Sequence, residues 1–215
     1  GPVFSNILLV DELNRAPPRT QSALLEAMQE RQVTIEGDTY RLPRPFLVLA
    51  TQMPPGAVGT HVLPEVILDR FAIRIDTYYL EPDKEKEVLA KTDIIEEFPV
   101  SSISNPDELL RLTTIVKNVF VDEDIMAYIV NLVNYLRNHS SVDAGPSTRS
   151  ATHLYKLSRV YAAIKGRDYV LPDDVKTLAP YVLEHRIRIK PQLEIEGVTP
   201  VELMEEALKS VEVPR

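Results

Sequence analysis

Over the first 80 residues short apolar runs alternate with polar stretches; beyond Leu80 the apolar positions recur at the helical period of about 3.6. Ile7 to Val10 is a continuous apolar run of strand length, as in strands buried on both faces of a parallel sheet. Pro17 and Pro18 then open a helix in which Ala23, Leu24, Ala27 and Met28 recur on one face. Residues 32–42, QVTIEGDTYRL, alternate on both sides of Glu36-Gly37-Asp38 and predict a β-hairpin. Phe46 to Ala50 predicts a second buried strand, QMPPGAVGT at 52–60 a turn-rich loop, and Phe71 to Asp76 a third strand. Strand, helix, strand, loop and strand make up part of an α/β unit.

The second part reads as a helical bundle. Asn105-Pro106-Asp107-Glu108 combines a capping asparagine, a proline at the first helical position and an acidic residue at the third, ahead of Leu109, Leu112, Ile115, Val116 and Val119. A second helix starts at Asp122, with Ile125, Ile129, Leu132, Val133 and Leu136 directed inward. Ser147 launches a third, carrying Leu154, Leu157, Tyr161 and Ile164 up to a C-terminal cap at Gly166. Asp173 and Asp174 open a fourth, and Thr199-Pro200-Val201-Glu202 repeats the capping-box pattern for a last one. The stretch 191–198, PQLEIEGV, reads as linker-like. No fixed-period repeat and no low-complexity tract interrupts this order.

Composition narrows the chemistry. A chain of 215 residues that is 44% hydrophobic can bury a real core. It holds no uninterrupted apolar run long enough for a membrane span and no signal-peptide pattern, so a cytoplasmic protein is expected. There is no cysteine, and the four histidines, His61, His139, His153 and His185, are not at metal-ligand spacing. The net charge of −8 argues against indiscriminate nucleic-acid binding. The deficit runs through both parts: residues 1–80 carry 7 basic and 9 acidic side chains, the remainder 17 and 23. The local basic strip HRIRIK at 185–190 is read as a solvated helix end or strand face, with nucleic-acid contact as the alternative. The chain opens on Gly1-Pro2 and runs almost at once into a core strand, as a piece of a longer protein would.

Asp11 and Glu12 stand directly behind the first apolar strand. Ligands of α/β sheets bind beyond the carboxyl ends of the strands, and neighbouring residues on a strand point to opposite faces. Two adjacent carboxylates there could serve different atoms, one a metal ion and the other a water, the division that phosphoryl transfer to water requires. The plain alternatives are a cap for the following helix and a solvated pair.

The run NILLVDELNRAPPRTQSALLEAMQERQVTIEGDTYRLPRPFLVLATQMP resembles the Walker B to sensor 1 segment of AAA+ ATPases of the MoxR family, and LPEVILDRF at 63–71, GPSTRS at 145–150 and GRDYVLPDDVKTLAPYVLEHRI at 166–187 follow in the family's order. The resemblance implies an α/β plus all-α fold: residues 1–80 as the C-terminal part of an AAA+ αβα core of P-loop NTPase type, and 81–215 as a helical lid. It implies ATP and Mg²⁺ as ligands. Asp11 matches the Walker B aspartate that orders the Mg²⁺ shell through water, Glu12 the glutamate that activates the attacking water, and Thr51, Gln52 and Met53 the nucleotide-sensing sensor 1 segment. Arg70 matches the arginine finger that reaches the neighbouring subunit's nucleotide, and Arg149 the sensor 2 arginine, in the first turn of a helix whose dipole would also face a phosphate. The alternatives are an ion pair of Arg70 with Asp69 or Glu65, and a surface salt bridge for Arg149. The hairpin at 32–42 corresponds to one that family members often turn toward a central pore or partner; Thr34, Glu36, Asp38 and Tyr40 could equally be the wet side of a plain hairpin.

Two features depart from the family pattern. Sensor 1 reads ATQNP in the family and Ala50-Thr51-Gln52-Met53-Pro54 here, and a methionine cannot hydrogen-bond a water or phosphate as an amide does. Thr51 or Gln52 compensates, or hydrolysis is slow. No G-x-x-x-x-G-K-[ST] run occurs, so the phosphate-cradling loop is expected upstream of residue 1 and the 215 residues alone are expected to hydrolyse little or no ATP. The family implies a homo-oligomeric ring, a hexamer, acting as a chaperone on a protein client, with a von Willebrand factor A domain partner. Two rival expectations are a degenerate, non-hydrolysing AAA+ adaptor module and a nucleic-acid motor of the related helicase branches.

Overall fold

The computed structural model describes residues 1–54 and 56–214, with only the backbone of Glu96. Pro55, in the loop predicted at 52–60, and Arg215 lie outside the described residues. Strand β1 (Ile7–Val10) leads through a short 3₁₀ turn into α1 (Pro18–Glu30), the hairpin strands β2 (Gln32–Ile35) and β3 (Asp38–Arg41), and β4 (Leu47–Ala50). β1 and β4 pair in parallel, Ile7 opposite Leu47 through Val10 opposite Ala50. The hairpin is antiparallel as predicted, and its two turn residues, Glu36 (φ 53°) and Gly37 (φ 96°), both take the left-handed conformation that matches the twist of the flanking strands.

A small apolar cluster of Leu13, Leu63 and Ile67, with Val10, Leu24, Leu25, Ala50, Leu68 and Phe71 against it, covers one face of the β1–β4 pair. The opposite face, Ile7, Leu9, Leu47 and Leu49, is exposed, so the expectation of a strand buried on both sides is corrected. On α1 the buried positions are Gln21 and Ala27, while Ala23, expected on the inner face, is exposed. Residues 71–76 form no strand. A strand needs a neighbour for its N–H and C=O groups, and among the described residues none runs beside this segment; the Arg74 amide bonds instead to the Tyr181 carbonyl at 2.9 Å.

The helices follow as α2 (Glu65–Leu68), α3 (Pro82–Ala90), α4 (Thr92–Glu96) and α5 (Pro106–Val116). α5 has the expected asparagine cap, Asn105 Oδ1 accepting from the Glu108 amide at 3.0 Å, but its apolar residues Leu109, Leu112 and Ile115 are exposed. The main core belongs to α6 (Glu123–Asn138), strand β5 (Val142–Ala144), α7 (Thr148–Ile164), α8 (Pro172–Leu183), strand β6 (Arg188–Ile189), α9 (Pro191–Ile195) and α10 (Pro200–Ser210). The five α6 positions predicted inward are all buried, as are Leu154 and Leu183; burying each such side chain stabilises the fold by about 1.5–3 kcal/mol. Ile164 is exposed instead. Ser147 and Thr199 cap α7 and α10 as expected, and Asp174 holds the start of α8 by accepting from the Leu171 amide at 2.8 Å while pairing with Arg167 at 2.6 Å. The stretch read as linker-like holds α9, and the antiparallel β5–β6 pair has no counterpart in the predicted elements. No helix among the described residues is long and apolar enough to cross a membrane.

Candidate functional site

Asp11 and Glu12 lie just past the carboxyl end of β1, and Thr51 just past the parallel end of β4. Register places them side by side, and Thr51 ties them. Its hydroxyl donates to Asp11 Oδ1 at 2.5 Å and accepts from the Glu12 amide at 2.8 Å, while its backbone bonds to Val10 and Leu13. Glu12 sits at φ 47°, ψ 51°, a left-handed conformation that a non-glycine residue keeps only when its surroundings enforce it. The two carboxylates part at the turn that follows β1: Asp11 turns to Thr51, and Glu12 to Arg15 at 3.1 Å.

Asn14 is the residue of this group that sequence reading passed over. It is 5% exposed, and its amide grips the Met53 backbone twice, Nδ2 to the carbonyl and Oδ1 from the amide, both at 3.0 Å. Residues 51–53 are thereby fixed to the turn that carries Asp11 and Glu12. Among them, the Thr51 hydroxyl is engaged, whereas the Gln52 side chain is exposed and makes no hydrogen bond among the described residues.

A second group forms where α2 ends against the helical part. Asp69 accepts from Ser147 Oγ at 2.7 Å, from Arg149 Nη1 at 2.7 Å and from Arg186 Nε at 3.1 Å. Burial alone would raise this carboxyl, but the Ser147 hydroxyl and the Arg186 and Arg149 guanidiniums outweigh it and hold it below the usual carboxylate range. Arg70 follows directly. Both acids proposed as its intrachain partners are taken, Asp69 as above and Glu65 by Arg188, and among the described residues Arg70 makes no ion pair. Arg149 pairs with Asp69 in a part-buried salt bridge rather than a surface one, and its side chain remains 38% exposed. Arg149 thus pairs with the residue that precedes Arg70, while no hydrogen bond or ion pair among the described residues joins either arginine to the strand-end group; Leu13 and Ile67 connect the two groups through the small apolar cluster.

Within the strip at 185–190, Arg188 and Lys190 stand on the solvated face expected, whereas Arg186 and His185 do not. The Arg186 side chain is 3% exposed, and His185 is half-buried with Nε2 3.3 Å from the Phe71 carbonyl. Burial, reinforced by Arg186, lowers His153 and His185 to about 4 from the ordinary 6.5. Since the folded form holds these rings neutral, the unfolded chain binds more protons between pH 6.5 and about 4, and stability rises with pH across that window. Thermal unfolding between pH 5 and 7 is expected to show a loss at pH 5 on the order of 1 kcal/mol per ring, removed in His153→Gln/His185→Gln. An unchanged slope in that variant would assign the pH dependence to other groups.

Among the described residues no cluster of three or more histidine or carboxylate ligands could hold a metal by itself. A carboxylate at a strand end suits a hard cation held through water and by phosphate oxygens. Residues 1–73 match the model of the ATPase family associated with various cellular activities (AAA), and residues 134–207 the AAA lid domain. The chain is 40% identical to the uncharacterized protein YeaC of Bacillus subtilis and 38% identical to chaperone MoxR1 of Mycobacterium tuberculosis, in each case over its whole length; it spans 67% of the first and 59% of the second. The crystal structure of a candidate ATPase from Cytophaga hutchinsonii superposes with a TM-score of 0.93 at 39% identity, covering all of this chain and 68% of that one.

Proposed function

Because the chain belongs to the MoxR family of AAA+ ATPases and has the AAA+ fold with its lid, we propose that it takes part in ATP hydrolysis that drives the remodelling or maturation of partner proteins. The observation that carries this reading is the fixing of Asp11 and Glu12 at the carboxyl end of β1 by Thr51. The core extends to about residue 80 and the lid from 81 to 215. The site is shared between subunits of a homo-oligomeric ring, a hexamer, in the cytoplasm. A protein client and a von Willebrand factor A domain protein are the expected partners.

Asp11 would hold Mg²⁺ through water. The Thr51 bond engages Oδ1 and leaves Oδ2 without a protein partner among the described residues, an oxygen donor of the kind this ion prefers. When bound, Mg²⁺ supplies positive charge that offsets that of the phosphates. Glu12 accepts a proton from the attacking water at a carboxylate oxygen, and the exposed Gln52 amide supplies the hydrogen bonding that Met53 cannot. Arg70, without a carboxylate partner among the described residues, meets the charge that develops on a neighbouring subunit's phosphate. Arg149, paired with Asp69 next to Arg70 in the chain, stands in the first turn of α7, where the helix dipole favours an anion.

The 215 residues contain no G-x-x-x-x-G-K-[ST] run, so this reading concerns the protein that combines them with such a loop. Titration of that protein with a fluorescent ATP analogue should show Mg²⁺-dependent binding that Asp11→Ala abolishes, and residues 1–215 alone should bind weakly or not at all. Equal ATP turnover by the two would contradict the second expectation. Met53 favours one other reading, a non-hydrolysing adaptor. Nucleotide binding without turnover would establish it.

A further inference from the structure

Arg186 brings a full charge into the interior where α8 runs out, and its guanidinium grips the chain around Arg70. The α8 helix ends at Leu183 and continues as a 3₁₀ turn over Glu184–Arg186, which swings the Arg186 guanidinium toward the end of α2. Nη2 donates to the carbonyl oxygens of Asp69 at 3.1 Å and Phe71 at 2.6 Å, the two residues that flank Arg70. Nε donates to Asp69 Oδ1 at 3.1 Å, Nη1 donates to the Val182 carbonyl, and His153 Nδ1 lies 3.0 Å from Nη2. A buried guanidinium is tolerated only when its N–H groups are satisfied, and here most of them are directed at one short turn. Lysine could not reproduce this fork.

We propose that Arg186, acting with Asp69, is a positioning residue for Arg70. By holding the backbone on both sides of Arg70 it fixes where that side chain is presented. Through Asp69, which also binds Arg149 and the α7 cap Ser147, it ties that position to the helical part, so a movement of the lid relocates both cations together. The inference rests on reading Arg70 as a finger that acts on the neighbouring subunit.

A purely structural role would rest on the same contacts, and kinetics separates the two. In the protein carrying a complete nucleotide site, Arg186→Lys is expected to lower turnover by roughly 10- to 10²-fold, as a small misplacement of a catalytic group does, with KM for ATP and ring assembly within about twofold of the parent. Arg186→Lys subunits keep their own Asp11 and Glu12, so mixed rings with Glu12→Gln subunits should recover activity above the sum of the two proteins measured apart. Turnover of Arg186→Lys within about twofold of the parent, or a loss that mixing does not restore, would overturn the proposal. Should Arg186→Lys fail to fold, Asp69→Asn, which keeps the size of the side chain and removes its charge, carries the same test with the same expected result. Arg70→Ala measured alongside distinguishes the two levels. If it leaves turnover intact, the reading of Arg70 fails; if it shows loss and recovery while the Arg186 and Asp69 variants do not, only the positioning inference fails.

Discussion

Replacing Arg70 by alanine is expected to lower ATP turnover by about 10³-fold or more, in the range of about 10³ to 10⁵ that a finger arginine contributes by meeting charge on the transferring phosphoryl group. Nucleotide affinity should stay within about twofold if, as proposed, the side chain serves a subunit other than its own. The structure gives a reason to expect little change in stability. Arg70 has no ion pair among the described residues to lose, since Asp69 is held by Arg149 and Arg186 and Glu65 by Arg188. Removing an intrachain salt bridge would instead cost stability with little effect on turnover. Steady-state turnover, nucleotide affinity and thermal unfolding of the one variant separate these outcomes.

Glu12→Gln is the second large effect. It keeps the shape of the side chain and removes its basicity, so turnover should fall by about 10²- to 10⁴-fold, the usual contribution of a positioned general base, while bound ATP is retained. The backbone at Glu12 is held in its left-handed conformation by the Thr51 hydroxyl on its amide, a contact the substitution leaves alone. The pair with Arg15 is half-exposed and worth little, so its loss should not disturb the fold. A Glu12→Gln protein that hydrolyses ATP at the parent rate would remove this residue from the mechanism.

The parts of the fold that could be read from the sequence are those built from local signals. The caps at Asn105, Ser147 and Thr199, the hairpin turn at Glu36-Gly37 and the buried stripe of α6 each depend on residues within a turn or two of one another. What failed depends on distant chain. Residues 71–76 have the composition of a strand, but a strand exists only with a partner alongside, and the Arg74 amide finds Tyr181 instead. The β1–β4 pair reads as doubly buried from its apolar residues alone, yet only one face is covered among the described residues.

The candidate site divides the same way. Motif order brought out Asp11, Glu12, Thr51, Gln52, Met53, Arg70 and Arg149, but not the side chains that hold them. Asn14 carried a signal only in lying two positions beyond Glu12. Arg186 was actively hidden. In HRIRIK the buried residues are Ile187 and Ile189, at 7% and 4% exposure, and strict alternation therefore sends Arg186 and Arg188 to the solvent side together. The 3₁₀ turn ending at Arg186 breaks that alternation, so Arg188 pairs on the surface with Glu65 and Asp143 while Arg186 turns inward to Asp69.

The claim on which the account depends is that one catalytic site combines Glu12 of one subunit with Arg70 of another. Mixing Arg70→Ala and Glu12→Gln proteins during ring assembly tests it most directly. Each should be nearly inactive alone, and a random one-to-one mixture should regain about a quarter of the parent turnover, the share of interfaces that join an intact Glu12 to an intact Arg70. A mixture that assembles into rings and remains as inactive as its two components would contradict the shared site.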